Sequence, residues 1–359
     1  MKITITGSQG FIGKNLASRL YHLPNIQLQL LNRSADEKTF YHALKETDLI
    51  IHLAGESRSR EVAKSFTDNL RLTKLITSIA SKSTPVIFAS TNRKNHLEYW
   101  QTKLQEETIL KEHFSNLLIL RMDNVFGKWA KPFYNSVVAT FIDGTLHEKT
   151  FPLFDGDTPI PFVYIDEVVA YILDHYQNLH GQHIETISGQ YYVSANTLLQ
   201  QIQAIHQAYQ AGIWLHSKDD FLAKLQITYL SCLPPKQWFM TPPQYPDQRG
   251  NFIELMKGSI PGQVSLNVIH PNQKKGNHYH HIRWEKFMVL NGQGSIRLRQ
   301  KFNSEIITFS SQDIQFKLLT IPPGYLHEIA NSGSEPMMVW MWSSLVYDPA
   351  NPDTYPELV

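Results

Sequence analysis

The hydrophobic pattern changes character part-way along the chain. In the first part, continuous apolar runs such as Leu49–Gly55 and Val86–Ser90 alternate with amphipathic stretches. Such runs are typical of buried parallel strands joined by helices. In the last third, apolar side chains recur at every second position, as at Val264, Leu266 and Val268. This period of two predicts the strands of an all-β domain.

A proline-rich segment separates the two patterns. Five prolines fall within the 14 residues 233–246, which favours a stiff, extended stretch. A chain of 359 residues also exceeds the usual size of one hydrophobic core. We therefore predict two domains. Residues 1–243 should form an α/β domain with a Rossmann-type, doubly wound parallel sheet, and residues 244–359 an all-β domain.

Composition excludes several classes of protein. The formal net charge is +1 with no long run of one sign, so nothing indicates a nucleic-acid backbone or an anionic membrane as partner. A single cysteine, Cys232, excludes an intrachain disulfide framework. The pattern predicts neither a signal peptide nor an apolar run of transmembrane length. We expect a cytoplasmic protein with no nucleic-acid and no membrane partner.

The chain start carries a glycine-rich turn between a predicted strand, Ile3–Thr6, and an amphipathic helix. Glycines at such a turn let the backbone approach a pyrophosphate, whose charge then lies at a helix N-terminus. The spacing G-x-x-G-x-x-G resembles that of the extended short-chain dehydrogenase/reductase family. The predicted contacts with a dinucleotide in this turn are Gly7, Gly10, Phe11, Ile12 and Gly13.

Two further turns complete the predicted cofactor site. Just after the strand Gln27–Leu31, an NAD-specific site would place a carboxylate, but Arg33 stands there. We therefore predict NADPH, with Arg33 on its 2′-phosphate. About 17 residues separate Asn32 from Leu49, so one strand–helix unit of the usual fold is abbreviated. The later His-Leu-Ala-Gly turn again resembles that reductase family, which implies that three of its residues pass beneath the cofactor. They are Leu53, Ala54 and Gly55.

A tyrosine and a lysine four residues apart provide the predicted reductive chemistry. Tyr99 and Lys103 lie on one face of a predicted helix. A carbonyl that receives a hydride needs a proton, and a phenol becomes a good enough acid only when a nearby cation lowers its pKa. Lys103 supplies that cation and can also hold the nicotinamide ribose. A hydroxyl from the preceding strand end should position the carbonyl. We predict Thr91 for this role, with Ser90 as the alternative.

The segment after the next strand reads R-x-x-N-x-x-G-K. It resembles the part of the same reductase family that lines a sugar-nucleotide pocket. This resemblance implies a nucleotide-sugar substrate whose diphosphate meets polar side chains of the segment. The predicted substrate contacts are Arg121, Asn124 and Lys128.

The all-β part contains a histidine-rich motif. His278, His280 and Glu285 occur in the order H-x-H-x4-E, and His327 follows a P-x-G turn farther along the chain. Residues two apart on a strand share a face, so two histidines can converge on one ion. Three imidazoles and a carboxylate suit Zn²⁺ or another divalent metal. Both segments resemble the two motifs of the cupin family, which implies a small cupin barrel.

The whole chain resembles the bifunctional capsular-polysaccharide enzymes of the CapF/WbjC type. Segments with no general reductase or cupin signal carry this likeness, among them Asp247–Gly250 and Asp348–Tyr355. The resemblance implies that the cupin domain epimerises C3 of a UDP-4-keto-6-deoxy-N-acetylhexosamine. The reductase would then reduce the C4 ketone with NADPH, on the way to UDP-N-acetyl-L-fucosamine. It also implies a homodimer through the cupin domain.

The acid–base groups of the epimerisation stay open. Lys286 is a predicted cation for the enolate oxygen, because similar metal-free cupin epimerases carry a lysine on this strand. Glu285 and Lys286 should nevertheless face opposite sides unless the strand is bulged. His281 and Tyr325 are candidates for the base. Two other functions compete: a single-activity reductase with a non-catalytic cupin module, and an NADPH-sensing regulator, which would have no need of a proton donor such as Tyr99.

Overall fold

A computed structural model gives the fold of the protein. It describes residues 1–56, 62–94, 97–152, 158–213, 217–242, 244–248, 250–253 and 261–359. The chain forms two compact units, Met1–Thr140 with Leu153–Leu198 and Phe141–Pro152 with Leu199–Val359. The helices that follow residue 198 thus group with the β-rich part, and the domain boundary between residues 243 and 244 stays a prediction.

Helices occur in both units, and no described helix combines the length and the apolar character that a membrane span requires. Their bounds are α1 Phe11–Leu20, α2 Glu37–Lys45, α3 Val62–Ile79, α4 Leu97–His113, α5 Val137–Leu146, α6 Ile165–His175, α7 Ala195–Gln210, α8 Asp220–Ser231 and α9 Ser311–Ile314. Aspartates start two of them. Asp36 accepts from the N–H of Thr39 at α2, and Asp219 accepts from that of Leu222 at α8, so orphan donors of the first turn are satisfied.

The first unit is built on parallel strands. Their bounds are β1 Lys2–Thr6, β2 Gln27–Leu31, β3 Leu49–His52, β4 Val86–Thr91, β5 Leu117–Met122, β6 Asn124–Phe126, β7 Ile160–Tyr164, β8 Gln182–Ile187 and β9 Tyr191–Val193. One parallel sheet has the order β2-β1-β3-β4-β5-β8, and a smaller sheet has the order β6-β7-β9. The Rossmann-like α/β fold predicted for this part is confirmed.

The strand order determines where this sheet can bind a ligand. β2 lies at the sheet edge, and α2 leads from it directly to β3 on the other side of β1. The stretch between Asn32 and Leu49 therefore holds a single helix, which confirms the abbreviated unit. The chain adds β2 on one side of β1 and the later strands on the other side, so the strand order reverses between β1 and β3. Open α/β sheets bind ligands at such a switch point, outside the carboxyl ends of the strands.

Apolar side chains bury this sheet against its helices. Every residue of β3 is buried, and Ile50, Phe88 and Ile119 belong to one core cluster with Ile76 of α3 and Leu110 of α4. The inner strands β3, β4 and β5 are mostly apolar and buried because helices cover the middle of the sheet. This packing holds the carboxyl ends of the strands in a fixed arrangement.

The second unit is dominated by antiparallel strands. Their bounds are β10 Phe239–Met240, β11 Gln244–Asp247, β12 Gly250–Ile253, β13 Gln263–Ile269, β14 Lys274–Tyr279, β15 Glu285–Asn291, β16 Gly294–Gln300, β17 Ile306–Ser310, β18 Leu318–Ile321, β19 Tyr325–Asn331, β20 Met337–Ser343 and β21 Tyr355–Pro356. Two large antiparallel sheets have the orders β10-β18-β15-β20-β13 and β17-β16-β19-β14-β21, and β11 pairs with β12. The antiparallel β domain predicted beyond the proline-rich segment is confirmed.

One apolar face of this unit points outward. The alternation at Val264, Leu266 and Val268 does form a strand, β13, but these side chains are 59%, 56% and 42% exposed. On the other face of the strand, Asn267 accepts a hydrogen bond from Lys275 at 2.6 Å. β13 ends its sheet, so the apolar strip lies at a sheet edge. Such a strip is a usual place for contact with another chain.

Candidate functional site

A cavity of about 1750 Å³ opens at the carboxyl ends of the parallel strands. This volume exceeds the roughly 300–1,000 Å³ of an ordinary small-molecule pocket, so it has room for a substrate beside a dinucleotide. The structure brings all the predicted cofactor residues to its wall, from four separate stretches of the sequence. They are Gly7, Gly10, Phe11, Ile12, Gly13, Arg33, Leu53, Ala54, Gly55, Tyr99 and Lys103.

Close backbone approach explains two glycines of the first turn. Gly7 has a φ of +69°, and a Cβ on it would come 2.7 Å from the backbone nitrogen of Ala54. A Cβ on Gly13 would come 2.8 Å from the Cα of Ser8. The turn after β1 therefore packs directly on the turn after β3, which leaves the N-terminus of α1 at the cavity wall.

Arg33 is a highly exposed part of the cavity wall. Its side chain is 81% exposed, and its guanidinium lies 3.3 Å from the carboxylate of Glu56. Basic residues from α2 and α3, namely Lys38, Arg71 and Lys74, also line this cavity. The sequence argument found Arg33 but missed Glu56, which follows the turn after β3, and it missed these cations because they lie on helices rather than at a strand end.

Tyr99 and Lys103 share a face of α4 that lines the cavity. The ammonium of Lys103 lies 5.9 Å from the ring centroid of Tyr99, and the side chain is 3% exposed. A Cβ on Gly55 would lie 3.1 Å from this ammonium, so Lys103 reaches the turn after β3. Burial lowers the pKa of Lys103, but attraction to Glu106 and Tyr99 outweighs burial and raises it. Lys103 therefore carries its charge at neutral pH.

The two hydroxyls at the end of β4 have different surroundings. Ser90 donates from Oγ to a carboxylate oxygen of Glu107 at 2.7 Å. The same carboxylate accepts from Arg121 at 3.0 and 2.6 Å. Thr91 accepts at Oγ1 from the backbone N–H of Arg93 at 3.1 Å, and it lines the cavity. The Ser90 hydroxyl already donates its proton to Glu107, so this geometry favours Thr91 as the hydroxyl that binds a carbonyl.

The second unit brings the four predicted metal ligands together. His278 of β14 lies opposite His327 of β19, with ring centroids 4.4 Å apart. His280 follows β14 directly, and the ligand atoms of the three imidazoles lie within 4.8 Å of one another. Glu285 reaches in from the other large sheet, with Oε2 3.5 Å from His280 Nε2 and 3.4 Å from His327 Nε2.

The chemistry of this cluster suits a divalent cation. His280 Nε2, Glu285 Oε2 and His327 Nδ1 are buried without a hydrogen-bond partner among the described residues. Burial lowers the pKa of His278, and that of His327 to about 3, so both rings are neutral. Burial opposes the charge of Glu285, but its interaction with His280, together with the nearby His327 and His278, outweighs burial and lowers the pKa of Glu285 to about 2. Neutral imidazoles and a carboxylate are the forms that bind a metal.

The C-terminal segment orients one of these histidines. His280 Nδ1 donates to the backbone carbonyl of Asp353, 2.5 Å away, which aims Nε2 at Glu285. The Asp353 carboxylate accepts from the backbone N–H groups of His281, Ile282 and Arg283 at 3.0, 2.9 and 2.8 Å. The sequence analysis identified the segment Asp348–Tyr355, which contains Asp353, only as part of the whole-chain resemblance. A contact between residues 73 positions apart has no local signal.

Comparison with known proteins identifies both parts of the chain. Residues 3–186 match the NAD dependent epimerase/dehydratase family, which is just over half of the chain. The chain belongs to that family. Residues 245–355 match the polysaccharide biosynthesis C-terminal domain. Membership of the epimerase/dehydratase family implies a nicotinamide cofactor.

Two relatives match this chain along nearly its whole length. The UDP-2-acetamido-2,6-beta-L-arabino-hexul-4-ose reductase of Pseudomonas aeruginosa is 29% identical over 364 residues, which cover 99% of this chain and 98% of that one. The capsular polysaccharide assembling protein CapF of Staphylococcus aureus is 31% identical, with 100% of both chains covered and a TM-score of 0.62. The predicted kinship with CapF-type enzymes is confirmed. UDP-N-acetylglucosamine 4-epimerase of Bacillus cereus, at 16% identity, 64% of this chain, 96% of that one and a TM-score of 0.51, shares the fold.

Two residues predicted to contact a diphosphate form ion pairs within the protein. Arg121 holds Glu107, 14 residues before it, at 2.6 Å. Lys128 is fully buried, with its ammonium 3.1 Å from Asp166. Carboxylates distant in sequence thus already hold Arg121 and Lys128, and their contacts with a diphosphate stay predictions. Asn124 lines the cavity and donates to the Pro161 carbonyl, and its contact with a substrate stays a prediction.

Lys286 does not share a cavity with Glu285. Its ammonium donates to Thr320 Oγ1 at 2.7 Å and lies 4.9 Å from the ring centroid of Tyr209. The pairing of β15 is regular from Glu285 to Val289, so adjacent residues face opposite sides of the sheet. This placement does not support Lys286 as a cation for an enolate oxygen beside the histidines, and that role stays a prediction.

Replacement of Lys286 by Met should stabilise the protein near neutral pH. Burial lowers the pKa of Lys286 from 10.5 to about 7. Between these values the unfolded chain binds one more proton than the folded chain, so the free energy of unfolding rises with pH across this window. A methionine of similar volume removes that cost, on the order of 3 kcal/mol at pH 7. Denaturant unfolding at pH 7 and pH 10 measures the gain, which should shrink at pH 10; an equal gain at both would contradict the charge argument.

Proposed function

We propose that the chain is a bifunctional nucleotide-sugar enzyme. It would epimerise C3 of a UDP-4-keto-6-deoxy-N-acetylhexosamine and then reduce the C4 ketone with NADPH, towards UDP-N-acetyl-L-fucosamine for capsular or O-antigen polysaccharide. The observation that carries the proposal is the pair formed by Tyr99 and the buried Lys103 on the wall of a cavity large enough for cofactor and substrate. The name of the P. aeruginosa relative, a UDP-linked hexul-4-ose reductase, supports the substrate class.

The reduction assigns a role to each side chain at the strand ends. A bound nicotinamide would supply the hydride. Tyr99 donates the proton that the carbonyl oxygen needs, from a phenol that shares a face of α4 with an ammonium. Lys103 provides that ammonium, and its position beside Gly55 suits a contact with the nicotinamide ribose. Thr91 orients the carbonyl through its hydroxyl.

The epimerisation would take place in the second unit, whose antiparallel sheets we propose to be a cupin barrel. The C3 proton is acidic only while C4 is a ketone, so exchange precedes reduction. Zn²⁺ or another divalent metal on the three histidines and Glu285 would supply positive charge for the enolate oxygen. Tyr325 lies two residues before His327 on β19 and so shares its face of the strand. This placement supports Tyr325 as an acid–base group, whereas the ring of His281 contacts Tyr279 and Tyr355.

We propose NADPH as the cofactor, and Arg33 provides the test. Replacement of Arg33 by Ala should raise the KM for NADPH about 10-fold or more, because a charge-assisted contact with the 2′-phosphate is lost. The KM for NADH should change little, since NADH lacks that phosphate. Steady-state kinetics with both cofactors measure the difference. An equal change for the two would show that Arg33 does not recognise the 2′-phosphate.

We propose a homodimer through the exposed strip of β13. Val264, Leu266 and Val268 are the apolar surface that such an interface would cover. Replacement of Leu266 by Asp should therefore shift the protein from dimer to monomer, as measured by light scattering after size-exclusion chromatography. The matched control is Ile306→Asp, which should leave the dimer intact. Ile306 is 41% exposed on β17, in the other large sheet. A dimer that survives Leu266→Asp would exclude this strip.

A single-activity reductase is the second candidate function. The printed name of the P. aeruginosa relative mentions reduction and no epimerisation. In this case the second unit would only bind sugar or form the dimer.

One experiment separates these functions. The protein is incubated with a UDP-4-keto-6-deoxy-N-acetylhexosamine in deuterated water, C3 is followed by NMR, and NADPH is then added. We expect deuterium at C3 before NADPH and loss of the ketone after it. Reduction without prior exchange would favour the single-activity reductase. Neither exchange nor reduction would contradict the proposed function for this substrate.

A further inference from the structure

A buried carboxylate beside Lys103 has no part in the reduction as described above. Glu106 follows Lys103 by one turn of α4, is fully buried, and places Oε2 3.1 Å from the lysine ammonium. A carboxylate in the protein interior is costly unless it is paired and hydrogen-bonded. The partners of Glu106 therefore indicate what it does.

These partners form a line of successive hydrogen bonds through the interior of the first unit. Glu106 Oε1 accepts from the hydroxyl of Thr73, on α3, at 2.8 Å. Thr73 Oγ1 lies 3.2 Å from His52 Nε2, and His52 Nδ1 lies 2.8 Å from Thr6 Oγ1. Thr6 in turn accepts from the backbone N–H of Ala54 at 3.3 Å. The side chains of Thr73, His52 and Thr6 are all buried.

The donors along this line all point towards the carboxylate. Thr73 gives its one proton to the charged Glu106 at 2.8 Å, which is a stronger bond than the one to the Asn69 carbonyl at 3.2 Å. Thr73 must then accept from His52 Nε2–H, so His52 Nδ1 accepts from Thr6. Burial and the nearby lysine lower the pKa of His52 to about 3, which keeps this ring neutral. The line is satisfied with Glu106 ionised.

We propose that Glu106 is a positioning residue for the reduction, an inference that rests on the proposed reductase function. Its carboxylate holds the Lys103 ammonium at one side and the Thr73 hydroxyl at the other. Through that line it ties Lys103 to Ala54, in the turn that lines the cofactor cavity. It also keeps the buried Lys103 charged. Tyr99 is then always beside a cation when it gives up its proton.

The charges around Lys103 determine the sign of the pH effect. The titratable groups that face it are Tyr99, Glu106 and Glu107 of α4 and His52 of β3. β4 contributes the uncharged ring of Phe88, 4.4 Å from the ammonium. Glu107 is engaged by Arg121, so Glu106 is the main counter-charge. Glu106 helps to raise the pKa of Lys103, so removal of its negative charge makes loss of the Lys103 proton easier.

The variant Glu106→Gln tests this role. The Lys103 titration is followed by NMR in protein labelled at the lysine ε-carbon, with the Lys103 signal assigned by its absence in Lys103→Arg. We expect the Lys103 midpoint to fall by about one pH unit or more. The alkaline limb of kcat/KM for ketone reduction should move down in pH as well. Glu106→Asp, which keeps the charge, should restore much of the wild-type profile. Glu112→Gln, an exposed site on the same helix, should leave both readouts unchanged.

An unchanged Lys103 midpoint in Glu106→Gln would overturn the proposal. If that variant does not fold, the wild-type midpoint still decides: a value well below that of the exposed lysines would mean that Glu106 does not hold the charge. The NMR titration does not depend on turnover. A wild-type protein that fails to reduce the 4-keto sugar would therefore refute the proposed function, and the role of Glu106 would be judged separately.

Discussion

Replacement of Tyr99 by Phe should lower the rate of ketone reduction about 10³-fold. The phenol is the proton donor, and a phenyl ring of the same shape has no proton to give. The dissociation constant for NADPH should stay within a few-fold of wild type, because Lys103 and the glycine turn are left intact. Stopped-flow reduction and fluorescence titration with NADPH measure the two quantities. Fast reduction by Tyr99→Phe would overturn the reductase assignment.

Tyr134 offers the matched control for this result. It lines the same cavity, so its replacement by Phe removes a second phenol from the same surroundings. Burial, assisted by the nearby charge of Glu56, raises the pKa of Tyr134, which makes it the poorer acid. Tyr134→Phe should therefore reduce the rate less than 10-fold. A larger loss than that of Tyr99→Phe would identify Tyr134 as the donor instead.

The cofactor cavity was predictable because its residues follow rules of local geometry. A glycine turn between a strand and a helix, a turn after a buried strand, and a tyrosine four residues before a lysine each have a sequence signal. In a parallel sheet the carboxyl ends of the strands lie together, so these signals converge on one site. Gly7, Ala54 and Lys103 meet there as expected.

The sequence did not reveal ion pairs between distant residues. Lys128 and Arg121 stand in a segment that resembles a sugar-nucleotide pocket, but carboxylates 38 and 14 residues away hold them. Nothing in the local sequence shows that Asp166 or Glu107 will face these cations. The same limit hid Asp353, whose contact with His280 spans 73 residues.

The alternation of side chains between the two faces of a strand was a more reliable guide to which residues share a site. Glu285 and Lys286 are neighbours on β15, so only one of them can face the histidines. The structure puts Glu285 with His280 and Lys286 with Thr320. On β13 the same alternation predicted a strand correctly but did not say which face is covered. The apolar side chains of Leu266 and its neighbours point to solvent, which fits a surface that a second copy would bury.

Replacement of His327 by Ala should remove both the metal that we propose for this cluster and the exchange of the C3 proton. His327 is one of three imidazoles whose ligand atoms lie within 4.8 Å of one another, and it is 2% exposed. We expect zinc content to fall from about one per chain towards zero, by mass spectrometry, and exchange in deuterated water to slow at least 100-fold. Removal of the metal from wild-type protein with a chelator should give the same loss.

Reduction provides the internal control for this prediction. The reductase cavity and the histidine cluster lie in different units, so His327→Ala should still reduce a 4-keto sugar that already has the epimerised C3 configuration. His270→Ala, at an exposed histidine of the second unit, should keep both metal and exchange. If exchange persists in metal-free His327→Ala, the cluster holds a structural ion and the base and cation for C3 lie elsewhere. If exchange and reduction are lost together, the substitution has unfolded the chain or the two sites depend on each other, and circular dichroism distinguishes these two cases.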